Sequence, residues 1–129
     1  MDKDSVIVFV CEHGAAKSIV AAAYFNHLAA EMGLDLRAVA RGTNPDIEIS
    51  PQAVQGLFED GLTPQESVPQ KLSSSDVQSA QRVIAFCELP AEYHGRATIE
   101  RWDGVPPVSG NYKEARDVII GRIQQMLKK

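Results

Sequence analysis

The stretch V6-I-V-F-V-C-E-H-G-A-A-K-S18 decides the fold. Its first part, Ser5–Val10, is an apolar run rich in β-branched residues, with no polar alternation. Such a run reads as a parallel strand buried on both faces. It stops at Cys11, crosses a loop containing Gly14, and meets a helical pattern at Ser18. From Ser18 to Met32, residues Ile19, Ala22, Ala23, Phe25 and Ala29 share a wide apolar stripe, and Gly33 is placed as the C′ residue. The stretch is therefore a strand, a short loop and the start of a helix.

The same grammar continues outward. Leu36–Ala40 reads as a second strand, closed by R41-G-T-N-P45. Ser50 followed by Pro51 is an N-cap with proline at N1, so a helix is expected from Pro51 to Asp60, ended by Gly61. Thr63–Lys71 is irregular, and S73-S-S-D76 offers an N-cap to a short helix reaching Ala80. Arg82–Phe86 is the third strand, with Cys87 at its C-terminal end, and Thr98–Trp102 is the fourth. D103-G-V-P-P107 is a loop. The last helix, Asn111–Leu127, places Ala115, Val118, Ile119, Arg122, Ile123 and Met126 along one side, with Gly121 costing about 1 kcal/mol relative to alanine. Strands alternating with helices predict a three-layer α/β/α fold around a four-stranded parallel sheet, as one domain over 1–129. In such sheets ligands bind beyond the C-terminal strand ends, where Cys11, Cys87 and the 103–107 loop converge.

Composition narrows the function classes. A net charge of -4 and a pI near 5.3 argue against a nucleic-acid binder or a polybasic membrane anchor. No apolar run approaches the roughly 20 residues of a membrane span. M1-D-K-D-S5 carries no apolar signal core. The chain reads as cytoplasmic, and its two cysteines are then expected as free thiols.

A loop between a strand end and a helix N-terminus aims successive N–H groups at one point, and the helix dipole adds positive charge there. Its natural guest is an oxyanion, held by the amides from Glu12, His13, Gly14, Ala15 and Ala16 to Lys17 and Ser18. A cysteine at the mouth of such a loop is expected to react as its thiolate. Ser18 is positioned to donate to that sulfur, and Lys17 adds a full positive charge. The plainer alternative is a small buried cysteine beside a solvated lysine.

The chain resembles the low-molecular-weight protein tyrosine phosphatases and their relatives, the thiol-linked arsenate reductases. C11-E-H-G-A-A-K-S18 is similar to the signature of a cysteine, five residues, an arginine, then serine or threonine after the first strand. I19-V-A-A-A-Y-F25 resembles the first helix of the reductase branch. R-G-T43, S50-P51, V83-I-A-F86 and R101-W102-D103 extend the likeness over nearly the whole chain. The resemblance implies Cys11 as nucleophile on phosphorus or arsenic, Ser18 as stabiliser of its thiolate, and no metal or cofactor. Implied partners are phosphate, arsenate or a phosphorylated substrate. In the reductase branch a thioredoxin-like protein or a low-molecular-weight thiol is added, with no nucleic acid or membrane.

Three residues depart from the family pattern. Lys17 stands where the family has arginine, keeping the charge but losing the planar fork that grips two oxygens. Pro106-Pro107 matches the family's Asp-Pro, so the usual acid is missing, and Asp103 is either a replacement acid or a loop cap. Gly14 stands where many relatives carry asparagine. Cys87 matches the second cysteine of the reductases, implying either a disulfide with Cys11 or a packed strand-end thiol. His13 either contacts substrate or is solvated. His27 and His94 have no partner at metal spacing. Tyr24, Tyr93, Trp102 and Tyr112 either line a cleft for an aromatic group or pack, with packing favoured for Trp102 and Tyr24. The readings are a phosphomonoesterase, an arsenate reductase, or a non-catalytic oxyanion binder.

Overall fold

The computed structural model describes residues 6–64, 66–93 and 99–127. The order is β1 (Val6–Cys11), α1 (Lys17–Glu31), β2 (Arg37–Gly42), α2 (Pro51–Glu59), α3 (Ser74–Ser79), β3 (Arg82–Ala85), β4 (Ile99–Arg101) and α4 (Tyr112–Leu127). The four strands form one sheet in the order β2-β1-β3-β4, and every pairing is parallel. This is the expected architecture, with element ends shifted by a residue or two. One short 3-10 turn at Ala91–Tyr93 is additional. Ser5, His94 and Thr98, named in the sequence reading, lie outside the described residues.

The pleat of β1 divides the core. Ile7, Phe9 and Cys11 face a cluster built with α1, α2 and α4, whereas Val8 and Val10 face a smaller one with Leu72, Val77 and Tyr93. Period two in a strand buried on both faces produces this split. Phe9 is its hub on the larger side, with ring centroids 6.0 Å from Phe25, 6.4 Å from Phe86 and 5.6 Å from Trp102. Trp102 and Tyr24 are thus packed residues, both buried. Tyr93 is also buried, and its hydroxyl donates to Leu72 O at 3.1 Å.

The first helix departs from the expected stripe. Every residue from Ser18 to Phe25 is buried. Three consecutive alanines let the sheet and two helices close around α1 from several sides, so its front half has no solvent face. Both α1 and α2 end in the anticipated way. Gly33 and Gly61 have φ of 71° and 83°, and Leu34 N–H reaches Ala29 O at 2.9 Å while Leu62 N–H reaches Leu57 O at 2.8 Å. These are Schellman closures, for which a glycine at C′ is the unstrained choice.

Just past α2, Asp60 joins three helices. Its carboxylate accepts from Tyr24 Oη, from Tyr112 Oη at 2.9 Å and from Arg116 Nη1 at 3.2 Å. Burial pushes the carboxyl up, but these donors outweigh burial and hold it below the usual 3.8. Burial, then Asp60, push the Tyr24 hydroxyl up to about 12, so it stays a donor. Asp60→Asn should cost about 1–2 kcal/mol at pH 7. Because the folded carboxyl titrates lower than the unfolded one, its contribution is full at neutral pH. It fades as pH falls below about 4. Urea unfolding of both proteins should show a gap at pH 7 that narrows at pH 3; a gap independent of pH would contradict the charge-based account.

The strand order also places the site. Chain leaving β1 crosses to β2 on one side, while β3 flanks β1 on the other, so a crevice opens at the C-terminal ends of β1 and β3.

Candidate oxyanion site

Cys11 is the last residue of β1 and Lys17 the first of α1, with the loop between them. Cys11 Sγ lies 3.0 Å from Ser18 Oγ, and both residues are buried. The two ends of the loop are thereby joined at its base.

The loop's carbonyls are tied outward. Thr43 N–H donates to Cys11 O at 3.2 Å, Asn44 N–H to Glu12 O at 2.7 Å, Asp46 N–H to His13 O at 3.0 Å and Ser50 N–H to Ala15 O at 2.9 Å. Among the described residues, no backbone hydrogen bond has its donor at Glu12 through Ser18. A carbonyl fixed outward turns the following N–H inward. Gly14 makes the bend, with φ 61°. Ala16 is the N-cap of α1 and gives it no side-chain cap, whereas Ser50 caps α2 and Ser73 caps α3 through a capping box with Asp76. Orphan N–H groups at a helix start need an acceptor. Among the described residues the protein supplies none, and an oxyanion would.

These groups line a cleft of about 350 Å³. Cys11, Glu12, His13, Ala15, Ala16, Lys17 and Cys87 all contribute to its wall. Lys17 makes no ion pair among the described residues, so its charge is uncommitted. Burial pushes the Cys87 thiol up and the neighbouring Cys11 charge adds to this, partly offset by a hydrogen bond with Thr43. Cys87 is free and part-buried beside a free Cys11.

Asp103 is placed elsewhere. It is exposed, it is not part of the cleft wall, and its Oδ1 accepts from Arg101 Nη2 at 2.8 Å. Pro107 with Val108 and Ser109 occupies the wall instead. Tyr24, Tyr93, Trp102 and Tyr112 are not in that wall either; Tyr112 packs over Gly56 and lines a neighbouring groove. His27 pairs with Glu31 at 3.1 Å on the exposed side of α1. No cluster of three or more metal-ligating side chains occurs among the described residues.

Sequence reading missed Asp46 and Ser50 as parts of the cleft. Ser50 was legible only as a helix cap. Asp46 had no signal, because its partner His13 is 33 positions earlier and the two meet only through the β1–β2 pairing. Their contact is close, with His13 Nδ1 lying 3.2 Å from Asp46 Oδ1.

A sequence profile described as low molecular weight phosphotyrosine protein phosphatase matches residues 6–101. The chain belongs to that family. Its curated relatives include a protein-arginine-phosphatase of Bacillus subtilis (strain 168), 27% identical, with 95% of this chain and 94% of the relative covered. The family fold recurs in solved structures. A low molecular weight protein tyrosine phosphatase from Bacillus subtilis superposes with a TM-score of 0.82 at 24% identity, covering 95% of each chain. An arsenate reductase from Archaeoglobus fulgidus gives 0.74 at 21% identity, covering 95% of this chain and 99% of that one. In this family frame Cys11 occupies a phosphate-loop-like position. No helix among the described residues is long and apolar enough to cross a membrane.

Proposed function

We propose that the protein is a cysteine-dependent phosphomonoesterase. The observation that carries this reading is the uncapped start of α1, which lies beside the buried Cys11–Ser18 pair. Cys11 Sγ attacks phosphorus, the S–P bond forms and the P–O bond to the leaving group breaks. Water then breaks the S–P bond and releases phosphate. The amides of Glu12 to Ser18 hold the equatorial oxygens, and Ser18 Oγ donates to the sulfur as it departs. Lys17 supplies a point charge, which attracts the anion without gripping two oxygens at once. Turnover slower than that of an arginine-bearing relative follows from this.

A second reading, thiol-linked arsenate reduction, is favoured by one observation: Cys87 shares the cleft wall with Cys11. In that chemistry Cys11 bonds to arsenic and Cys87 displaces it as a Cys11–Cys87 disulfide. The two thiols give up two electrons to arsenate, and an external thiol, either a thioredoxin-like protein or a small one, restores them. The readings separate cleanly. Hydrolysis of p-nitrophenyl phosphate should require Cys11 and persist in Cys87→Ser. Reductant-dependent loss of arsenate that vanishes in Cys87→Ser, without phosphate ester hydrolysis in the parent protein, would select the reductase. Neither activity would leave an oxyanion-binding protein.

A further inference from the structure

The missing Asp-Pro acid leaves the phosphatase reading without a proton donor, and Asp103 is held outside the cleft by Arg101. We propose that His13, oriented by Asp46, is the general acid–base group of this site. The proposal rests on the phosphatase reading above.

Residue 46 holds His13 twice. Its backbone N–H donates to His13 O at 3.0 Å, and its carboxylate faces His13 Nδ1 at 3.2 Å. A carboxylate at ion-pair distance from one imidazole nitrogen biases the ring's orientation and leaves the other nitrogen as the working one. That other nitrogen, Nε2, lies 3.9 Å from Glu12 Oε1, beyond hydrogen-bond length, so it is available to a leaving oxygen. Asp46 from the β2–α2 segment and Glu12 from its own loop face His13, and the other titratable groups of the cleft are Lys17 from α1 and the thiols of Cys11 and Cys87. All of them line the same cleft.

Depth supports the assignment. Cys11 is only 8% exposed, whereas the His13 and Asp46 side chains are 53% and 54% exposed. The nucleophile is therefore at the floor and the imidazole at the rim. In-line attack from the floor expels the leaving oxygen toward the rim. Lys17 cannot act as an efficient donor while serving as the fixed positive charge. A carboxylate engaged with the imidazole orients it rather than donating. In the first step His13 Nε2–H passes its proton to the leaving oxygen as the P–O bond breaks. In the second, neutral His13 takes the proton of the attacking water as the S–P bond breaks and Cys11 leaves as thiolate. His13 is the catalytic residue and Asp46 a positioning residue.

Leaving-group dependence tests this. p-Nitrophenolate departs without a proton, while phenolate needs one. His13→Gln should lower kcat/KM for phenyl phosphate by about 10²-fold and for p-nitrophenyl phosphate by less than about tenfold. Asp46→Asn should show the same selectivity to a smaller degree, with thermal unfolding confirming that both variants fold. A purely structural role would slow both substrates alike. Equal losses in His13→Gln, or a selective penalty in Asp103→Asn instead, would overturn the assignment while leaving the phosphatase reading intact. If the parent protein shows no Cys11-dependent hydrolysis of p-nitrophenyl phosphate, the phosphatase reading fails and this assignment falls with it.

Discussion

Cys11→Ser will lower kcat for p-nitrophenyl phosphate by at least about 10³-fold. The size of the loss follows from what surrounds the sulfur. Ser18 Oγ sits 3.0 Å from Sγ, placed to donate to a thiolate. A serine hydroxyl at position 11 keeps its proton and offers a poor nucleophile to the same phosphorus. Among the described residues the cleft wall holds one imidazole, His13, which stands at the rim with Asp46 and makes no hydrogen bond to residue 11. Among the described residues no imidazole or carboxylate is hydrogen-bonded to residue 11 to activate a hydroxyl there. Binding should behave differently. In the proposed site the inward amides and Lys17 would provide the affinity for the anion, and the substitution alters neither. Calorimetric titration with inorganic phosphate should find the variant still binding. Acid-quenched samples of the parent protein should contain a phosphorylated cysteine that the variant lacks. Turnover within tenfold of the parent would mean that water attacks directly, and the covalent mechanism would be lost.

The strand–loop–helix unit was legible because its signals are local. An apolar run, a thiol, a glycine and an alanine-rich helix follow each other within about twenty positions, and each type has one good place in such a unit. The Ser18–Cys11 pairing was legible for the same reason. What escaped depends on residues far apart in sequence. The outward ties of the loop carbonyls come from Thr43, Asn44, Asp46 and Ser50, a segment with ordinary turn composition. The burial of every residue from Ser18 to Phe25 in α1 was hidden because alanine marks neither a core nor a surface, and only the closeness of β1, β2 and α4 decides it. Asp103 illustrates a competition that sequence cannot weigh. Arg101 is two positions away, and its guanidinium also holds Glu88 at 3.0 Å, which keeps the aspartate on the outer side.

Gly42→Ala is the substitution expected to join stability and site most directly. Gly42 ends β2 opposite Cys11 in the parallel register. A Cβ built there would lie 2.7 Å from Gly14 N, 2.8 Å from Gly14 Cα and 2.9 Å from His13 C. All three are backbone atoms of the phosphate loop, so no side chain can swing aside. Gly42 cannot retreat either. Its N–H donates to Gln70 O at 2.8 Å and its carbonyl accepts from Leu72 N–H at 2.9 Å, which clamps it from the other side. The loop must therefore move, and with it the ties that turn its amides inward. Overpacking of this kind costs about 1–3 kcal/mol. For a chain of this size that lowers the unfolding midpoint by roughly 3–12 °C. Activity should fall further than stability alone explains, since misplaced oxyanion donors cost about 10²–10³-fold in kcat. Phosphate affinity should drop in parallel, which distinguishes this variant from Cys11→Ser. A folded Gly42→Ala protein with unchanged phosphate affinity and turnover would show that the Gly14–Gly42 contact does not set the loop.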